Sequence, residues 1–215
     1  LPNGLNLDDW KPREKTFIVG FCGNISGAKY RQYKGYDYVE EACNNLGVGL
    51  RTALYKDQQI PHDRMMQDFY YQINCIVHPT LGEGCSNTLM EACACGVPII
   101  TTREAGFHGE LMQDGVNVLF CERSTQSIQD KLSLLMHDVE LRARLSANAR
   151  QFAIDNHDIK IIAKKYDDIF QDCYNYNNTT ISSITEVINA VDVPIQRRKH
   201  QKVHRIWKNG KILHE

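Results

Sequence analysis

Short apolar runs rich in β-formers alternate with helix-like stretches along the first 173 residues, and this alternation constrains the fold more than any other feature of the chain. Thr16–Cys22 (TFIVGFC), Val48–Leu54, Asn74–His78, Val97–Thr101 and Asn117–Phe120 read as strands. Between them, Gly35–Leu46 reads as a helix, with Tyr38, Val39, Ala42 and Leu46 along one face. His62–Gln72 and Ser86–Ala94 read as further helices and Phe107–Gln113 as a brief one. Three more helical stretches follow: Ser127–His137, Glu140–Asp155 and Ile159–Cys173. Strands alternating with helices of this length form parallel βαβ units. The strands are near-continuous apolar runs, as expected where helices cover both faces of a sheet. The expected fold is therefore α/β, a doubly wound parallel sheet, with functional residues on the turns that follow the strands.

Composition narrows the function. With 42% hydrophobic and 24% charged residues the chain is an ordinary globular mix. A formal net charge of −1 argues against a generally basic nucleic-acid binder, and no apolar run is long enough to span a membrane. The charge is uneven. Residues 196–215 hold seven Lys or Arg against Glu215, a net +6, so the rest of the chain carries −7. A polar Asn/Thr/Ser stretch, Tyr174–Ser183, precedes that segment and marks a linker. The expected organisation is a ligand-binding domain over 1–174, then a linker and basic extension over 175–215, which reads equally as the start of another domain, a segment packed on this one or a solvated tail. Within the extension, Asn209-Gly210 between alternating apolar flanks is a hairpin signal, and the positive charge allows contact with an anionic membrane surface. The eight cysteines lie largely in apolar runs without Cys-x-x-Cys spacing, so they read as reduced core thiols and point to a cytoplasmic compartment. The chain begins Leu-Pro-Asn-Gly, without Met or a leader, and reads as part of something longer.

Chemistry concentrates in His78–Ile100, HPTLGEGCSNTLMEACACGVPII. A strand enters a turn containing Gly82 and Gly84, and a helix opens near Ser86. Glycines admit close ligand approach. A helix N-terminus offers free N–H groups and a positive dipole end to a phosphate. Ser86, Asn87 and Thr88 add side-chain donors. Glu83 and Glu91, eight positions apart, bracket this site on a similar face. A carboxylate beside a phosphate suits sugar hydroxyls, as acidic residues bind ribose in dinucleotide folds. The same pair also reads as a helix cap and a solvated face residue.

The segment resembles the signature of retaining GT-B glycosyltransferases of family 4, a pattern E-G-x-x-x-x-x-x-E-A-x-A-x-G-x-P-x-I. Glu83-Gly84, Glu91-Ala92, Ala94, Gly96, Pro98 and Ile100 match it. Pro2-Asn3-Gly4-Leu5-Asn6 and Trp10-Lys11-Pro12 resemble the family's interdomain segment, Lys34-Gly35-Tyr36-Asp37 its Lys-Gly-x-Asp, and Gly106–Glu110 and Asp114–Asn117 its later loop and turn. The resemblance runs in family order over about residues 1–172. It implies the Rossmann-like C-terminal half of a GT-B enzyme, which binds a UDP- or GDP-sugar donor without a metal or other cofactor. Lys34 would reach the donor diphosphate and Glu83 the transferred sugar, as the catalytic pair. Glu91 would bind ribose hydroxyls. Asn87, Thr88 and Leu89 would present backbone N–H groups to phosphate, beside Ser86 and Gly84. Tyr55 and Lys56 would contact the base. The family's Gly-Arg after the first strand is Gly23-Asn24 here, and Arg31 is the candidate to supply that charge. His108 and Glu110 lie in a loop that departs from the family pattern. The acceptor, a glycan, lipid-linked sugar or protein, would bind an N-terminal domain missing from this chain, leaving the fragment able to bind donor but not to transfer. The alternatives are a GT-B sugar epimerase and a non-catalytic GT-B-like binding module.

Overall fold

The computed structural model describes residues 16–55, 60–105, 112–178, 206–208 and 211–213. The chain divides into two compact units, Leu1–Lys165 and Tyr166–Glu215. In the first unit, β1 (Ile18–Gly23) leads through α1 (Ala28–Lys34) and α2 (Tyr36–Leu46) to β2 (Gly49–Leu54). A 3-10 turn, α3 (Met65–Asp68) and a second 3-10 turn precede β3 (Cys75–His78). Then come α4 (Asn87–Ala94), β4 (Ile99–Thr101), β5 (Leu119–Phe120), α5 (Thr125–His137) and α6 (Val139–His157), and α7 (Ile159–Asn178) begins in the first unit and ends in the second. The sheet order is β2-β1-β3-β4-β5, with all pairs parallel. This is the doubly wound α/β architecture expected from the alternation.

The inner strands β1, β3 and β4 are largely apolar because both of their faces are covered, whereas the edge strand β2 exposes Arg51. Successive residues of one strand enter opposite cores. Cys75 and Val77 join the side built with α2 and α5, whereas Ile76 joins the side built with α4 and the later part of α6. In the same way Ile100 faces the first core and Ile99 the second. The chain runs outward from β1 to β2 and then returns to the other side of β1 to place β3. The crevice between the carboxyl ends of β1 and β3 is thus the point where the winding reverses, the usual ligand position in such sheets. The β1–β3 ladder pairs Val19 with Cys75 and Gly20 with Ile76, and no further.

The sequence reading differs from the structure at two points. The segment read as one helix over His62–Gln72 is broken. Arg51 of β2 gives both Nε and Nη2 to the Asp68 carbonyl, at 2.9 and 2.6 Å, so that carbonyl is held outside the helical ladder. The connection before Lys34, to which the sequence assigned no element, is a helix, α1. It buries no residue and has no side-chain cap, so it carries no periodicity to detect. The predicted brief helix over Phe107–Gln113 lies almost wholly outside the described residues. In the second unit, β6 (Ile206–Lys208) pairs antiparallel with β7 (Lys211–Leu213); Asn209-Gly210, the hairpin signal, lies outside the described residues. All eight cysteines are free. Cys43, Cys75, Cys93 and Cys121 are buried, but Cys85 and Cys173 are exposed, contrary to a uniformly buried set. Among the described residues no helix is long and apolar enough to cross a membrane.

Candidate functional site

The site grows from the junction of α1, Gly35 and α2. Gly35 ends α1 and starts α2 in the left-handed conformation, φ 68° and ψ 27°. It also lies against the turn after β3: a Cβ placed on it would fall 2.6 Å from the Pro79 carbonyl oxygen. Only glycine meets both demands. The contact is reinforced around it. Leu81 donates its N–H to the Tyr33 carbonyl at 3.0 Å, and Tyr33 Oη donates to the Gly82 carbonyl at 2.6 Å. Arg123, from the loop after β5, gives Nε to the Pro79 carbonyl at 2.9 Å and Nη2 to the Gln32 carbonyl. Its guanidinium therefore ties the end of α1 to the β3–α4 turn.

This docking brings Lys34 onto Glu83. The Lys34 ammonium and Glu83 Oε1 are in direct contact, with side chains 19% and 18% exposed. Burial lowers the Lys34 ammonium from the usual lysine value, while the adjoining carboxylate favours its charged form. His78, the last residue of β3, faces the same carboxylate. Its Nε2 is 3.3 Å from Glu83 Oε1, yet it lacks hydrogen-bond geometry and has no partner. Burial first, and then the Lys34 charge, push the imidazole down to about 3, so the ring is neutral.

At the start of α4, Ser86 is buried and caps the helix, accepting from the Leu89 N–H at 3.4 Å. Of the three amides expected to face phosphate, that of Leu89 is therefore engaged by the cap. Asn87 is exposed and Thr88 half-buried. A Cβ on Gly84 would meet no atom within 4 Å, so packing within the chain does not require glycine there. Glu91 sits one turn further along α4. Fully buried Tyr70 donates to its Oε2 at 2.8 Å, and His62 Nε2 lies 3.2 Å from its Oε1. Burial, then the neighbouring Cys22 and Glu91, push the Tyr70 phenol far up, so it remains a donor. Cys22, at the end of β1, joins these parts. It is hydrogen-bonded to the Thr88 side chain and lies within electrostatic reach of Glu91 and Lys34. It also lines a cavity of about 820 Å³ with Gly23, Asn24, Tyr55, Pro61 and His62.

The structure thus brings Lys34, Glu83, Ser86, Thr88 and Glu91 to one crevice, with Tyr55 on the wall of the adjoining cavity. Arg31 goes elsewhere: it contacts Asp37, reaches Glu40 at 2.8 Å and stacks over Tyr36. Lys56, His108 and Glu110 lie outside the described residues. Sequence reasoning missed Cys22, Tyr70, His78 and Arg123. For His78 and Cys22 a signal existed, since both occupy the carboxyl end of a central strand. Tyr70 and Arg123 act across the fold and left none. Among the described residues no group of three or more His, Cys, Asp or Glu could hold a metal ion.

A crevice at the winding reversal of a parallel sheet, beside a helix N-terminus, is where α/β domains of this kind take their ligands. Residues 11–152 match the family described as glycosyl transferases group 1, and the chain belongs to it. It is 28% identical over 190 residues to the capsular polysaccharide biosynthesis glycosyltransferase CapM of Staphylococcus aureus, covering 76% of this chain and 50% of that protein. The fold is similar to the C-terminal domain of a glycosyl transferase group 1 family protein, LpcC, from Francisella tularensis, with a TM-score of 0.55 and 20% identity over 73% of this chain and 100% of that one. It is also similar to Anabaena HepE in complex with UDP and glucose, with a TM-score of 0.58 and 16% identity over 73% of this chain and 48% of that one. The chain spans half or less of the length of the curated relatives it matches.

Proposed function

We propose that this chain is the donor-binding part of a retaining glycosyltransferase. It holds a UDP- or GDP-sugar while the sugar passes to a hydroxyl of a glycan, lipid-linked or protein acceptor carried by an N-terminal domain. The observation that carries this reading is the convergence of the Lys34 ammonium, the α4 N-terminus and the Glu91 carboxylate beside the cavity lined by Cys22 and Tyr55. Each part has a task. As the sugar–phosphate bond breaks, negative charge grows on the departing diphosphate, and preorganised donors aimed at it lower the barrier. Lys34 and the α4 amides supply such donors without a metal ion. Glu91, oriented by Tyr70, accepts from the ribose hydroxyls. Glu83, beside Lys34, lies where the transferred sugar would sit. The open space at Gly84 suits close approach of a ligand. The UDP complex of HepE supports a uridine donor, and GDP remains the alternative base.

Calorimetric titration with UDP, GDP, ADP and their sugars, on the wild type and on Glu91→Ala, tests the reading. One nucleotide binding to the wild type and weakening at least tenfold in the variant is expected. Binding that is indifferent to Glu91→Ala, or absent for every nucleotide, contradicts it.

A further inference from the structure

The triad Lys34, Glu83 and His78 contains an unspent group. His78 is a buried polar side chain, 3% exposed, whose Nε2 points at Glu83 Oε1 from 3.3 Å and makes no hydrogen bond. A buried nitrogen without a partner is costly, and its persistence beside a carboxylate calls for a reason. In the free chain Glu83 is satisfied by Lys34. An arriving diphosphate competes for the same ammonium. Once Lys34 turns to the phosphate, Glu83 loses its cationic partner, and a sugar beside it offers hydrogen bonds but no charge. Glu83 cannot withdraw far. Its own N–H is held by the Glu104 carbonyl at 3.3 Å, and the preceding Gly82 carbonyl by Tyr33. A buried charge stripped of its partner is strongly destabilising, and the nearest remedy is a proton between Oε1 and Nε2.

We propose that binding of an anionic ligand at Lys34 draws one proton from solvent into the His78–Glu83 pair, making His78 a positioning residue that keeps Glu83 in place when its ion pair opens. The proposal rests on the reading of Lys34 as the diphosphate contact. Among the described residues, the groups around the imidazole are these. Lys34 comes from α1, and Glu83 from the turn that follows His78. Cys22 of β1 faces Lys34. Thr101 of β4 gives its hydroxyl to the His78 carbonyl at 2.8 Å. Arg123 reaches only the next carbonyl, that of Pro79. Loss of the Lys34 charge and gain of an unpaired Glu83 both favour a protonated ring, opposite to the free state in which burial and Lys34 keep it neutral. Because the bound state holds the extra proton, affinity rises as pH falls.

Two measurements on the full chain separate this proposal from the donor reading. The first needs no ligand. Lys34→Met imitates the departure of the ammonium, and the imidazole signals of His78 are followed by NMR through a pH titration. No titration between about pH 5 and pH 8 is expected in the wild type, and a midpoint within that window in Lys34→Met. The midpoint should leave the window again in Lys34→Met/Glu83→Gln. A folded Lys34→Met chain whose His78 stays silent overturns the proposal, whatever the ligand proves to be. The second measurement is calorimetry with UDP-glucose and GDP-mannose, neither of which has a phosphate titrating near neutral pH, in buffers of different ionisation enthalpy. Uptake approaching one proton is expected, with affinity rising toward tenfold per unit of acidification, the limit for one proton. Glu83→Gln and His78→Gln should abolish the uptake. Binding without proton uptake overturns the proposal and leaves the donor reading standing. Failure of both sugars to bind, with His78 titrating in Lys34→Met, removes the donor reading and the ligand-coupled step with it.

Discussion

Replacing Gly35 with Ala tests the physical basis of the site, the docking of α1 on the turn after β3. Two costs are separable. An L-residue in the left-handed region costs roughly 1–2 kcal/mol. The new methyl would also lie 2.6 Å from the Pro79 carbonyl oxygen and 3.0 Å from its ring. Neither neighbour is the free end of a flexible side chain, so the backbone must move, and such overpacking adds about 2 kcal/mol. Gly47 provides the control. It ends α2 at φ 65° and ψ 27°, the same conformation, with nothing within 4 Å of a Cβ. Gly47→Ala should therefore show the conformational cost alone. Urea unfolding of both variants reads the difference, with Gly35→Ala the less stable by about 2 kcal/mol. In a thermal scan this corresponds to a further loss of roughly 4–8 °C for a domain of this size. Equal losses in the two variants, within about 0.5 kcal/mol, would refute the argument that close approach fixes Gly35. The docking of Lys34 would then need another explanation.

Tyr70→Phe removes the donor that fixes Glu91 Oε2; the chain should stay folded while nucleotide affinity falls about fivefold, equivalent to one modest hydrogen bond, by fluorescence titration. Arg123→Lys keeps the charge but loses the fork that grips two carbonyls at once, and a loss of about 1–2 kcal/mol in urea unfolding is expected. Acidification should destabilise the wild type through His78. Its folded value of about 3 lies below the ordinary 6.5, so between those values the unfolded chain binds the extra proton and stability falls as pH drops. The slope approaches about 1.4 kcal/mol per pH unit, and His78→Gln should remove that component from the pH dependence of unfolding.

What the sequence disclosed and what it hid follow from the range of the forces involved. The β1, β3 and β4 strands were legible because burial on both faces makes their runs apolar. The start of α4 was legible at Ser86, but the cap is Ser86 itself and not Glu83, the residue offered as the alternative cap. By contrast, α1 touches no core and so leaves no periodic trace. The break in the segment from His62 to Gln72 is imposed by Arg51, a residue seventeen positions before Asp68. The site divides in the same way. Lys34, Glu83 and Glu91 belong to short motifs that survive as patterns. Arg123 reaches Gln32 across 91 positions and Pro79 across 44, and Tyr70 reaches Glu91 across 21. Such partnerships exist only after the sheet has formed.

The short β1–β3 ladder, which ends at Gly20 and Ile76, bears on how the centre of the sheet is protected from water. The middle of a five-stranded sheet is ordinarily its driest place, with the slowest-exchanging amides. Here the pairing of the two central strands stops after two residue pairs, although Phe21, Val77 and His78 beyond it stay buried. Slow amide exchange at the centre of this sheet would therefore report water kept out by packing from the two flanking cores rather than by a long ladder.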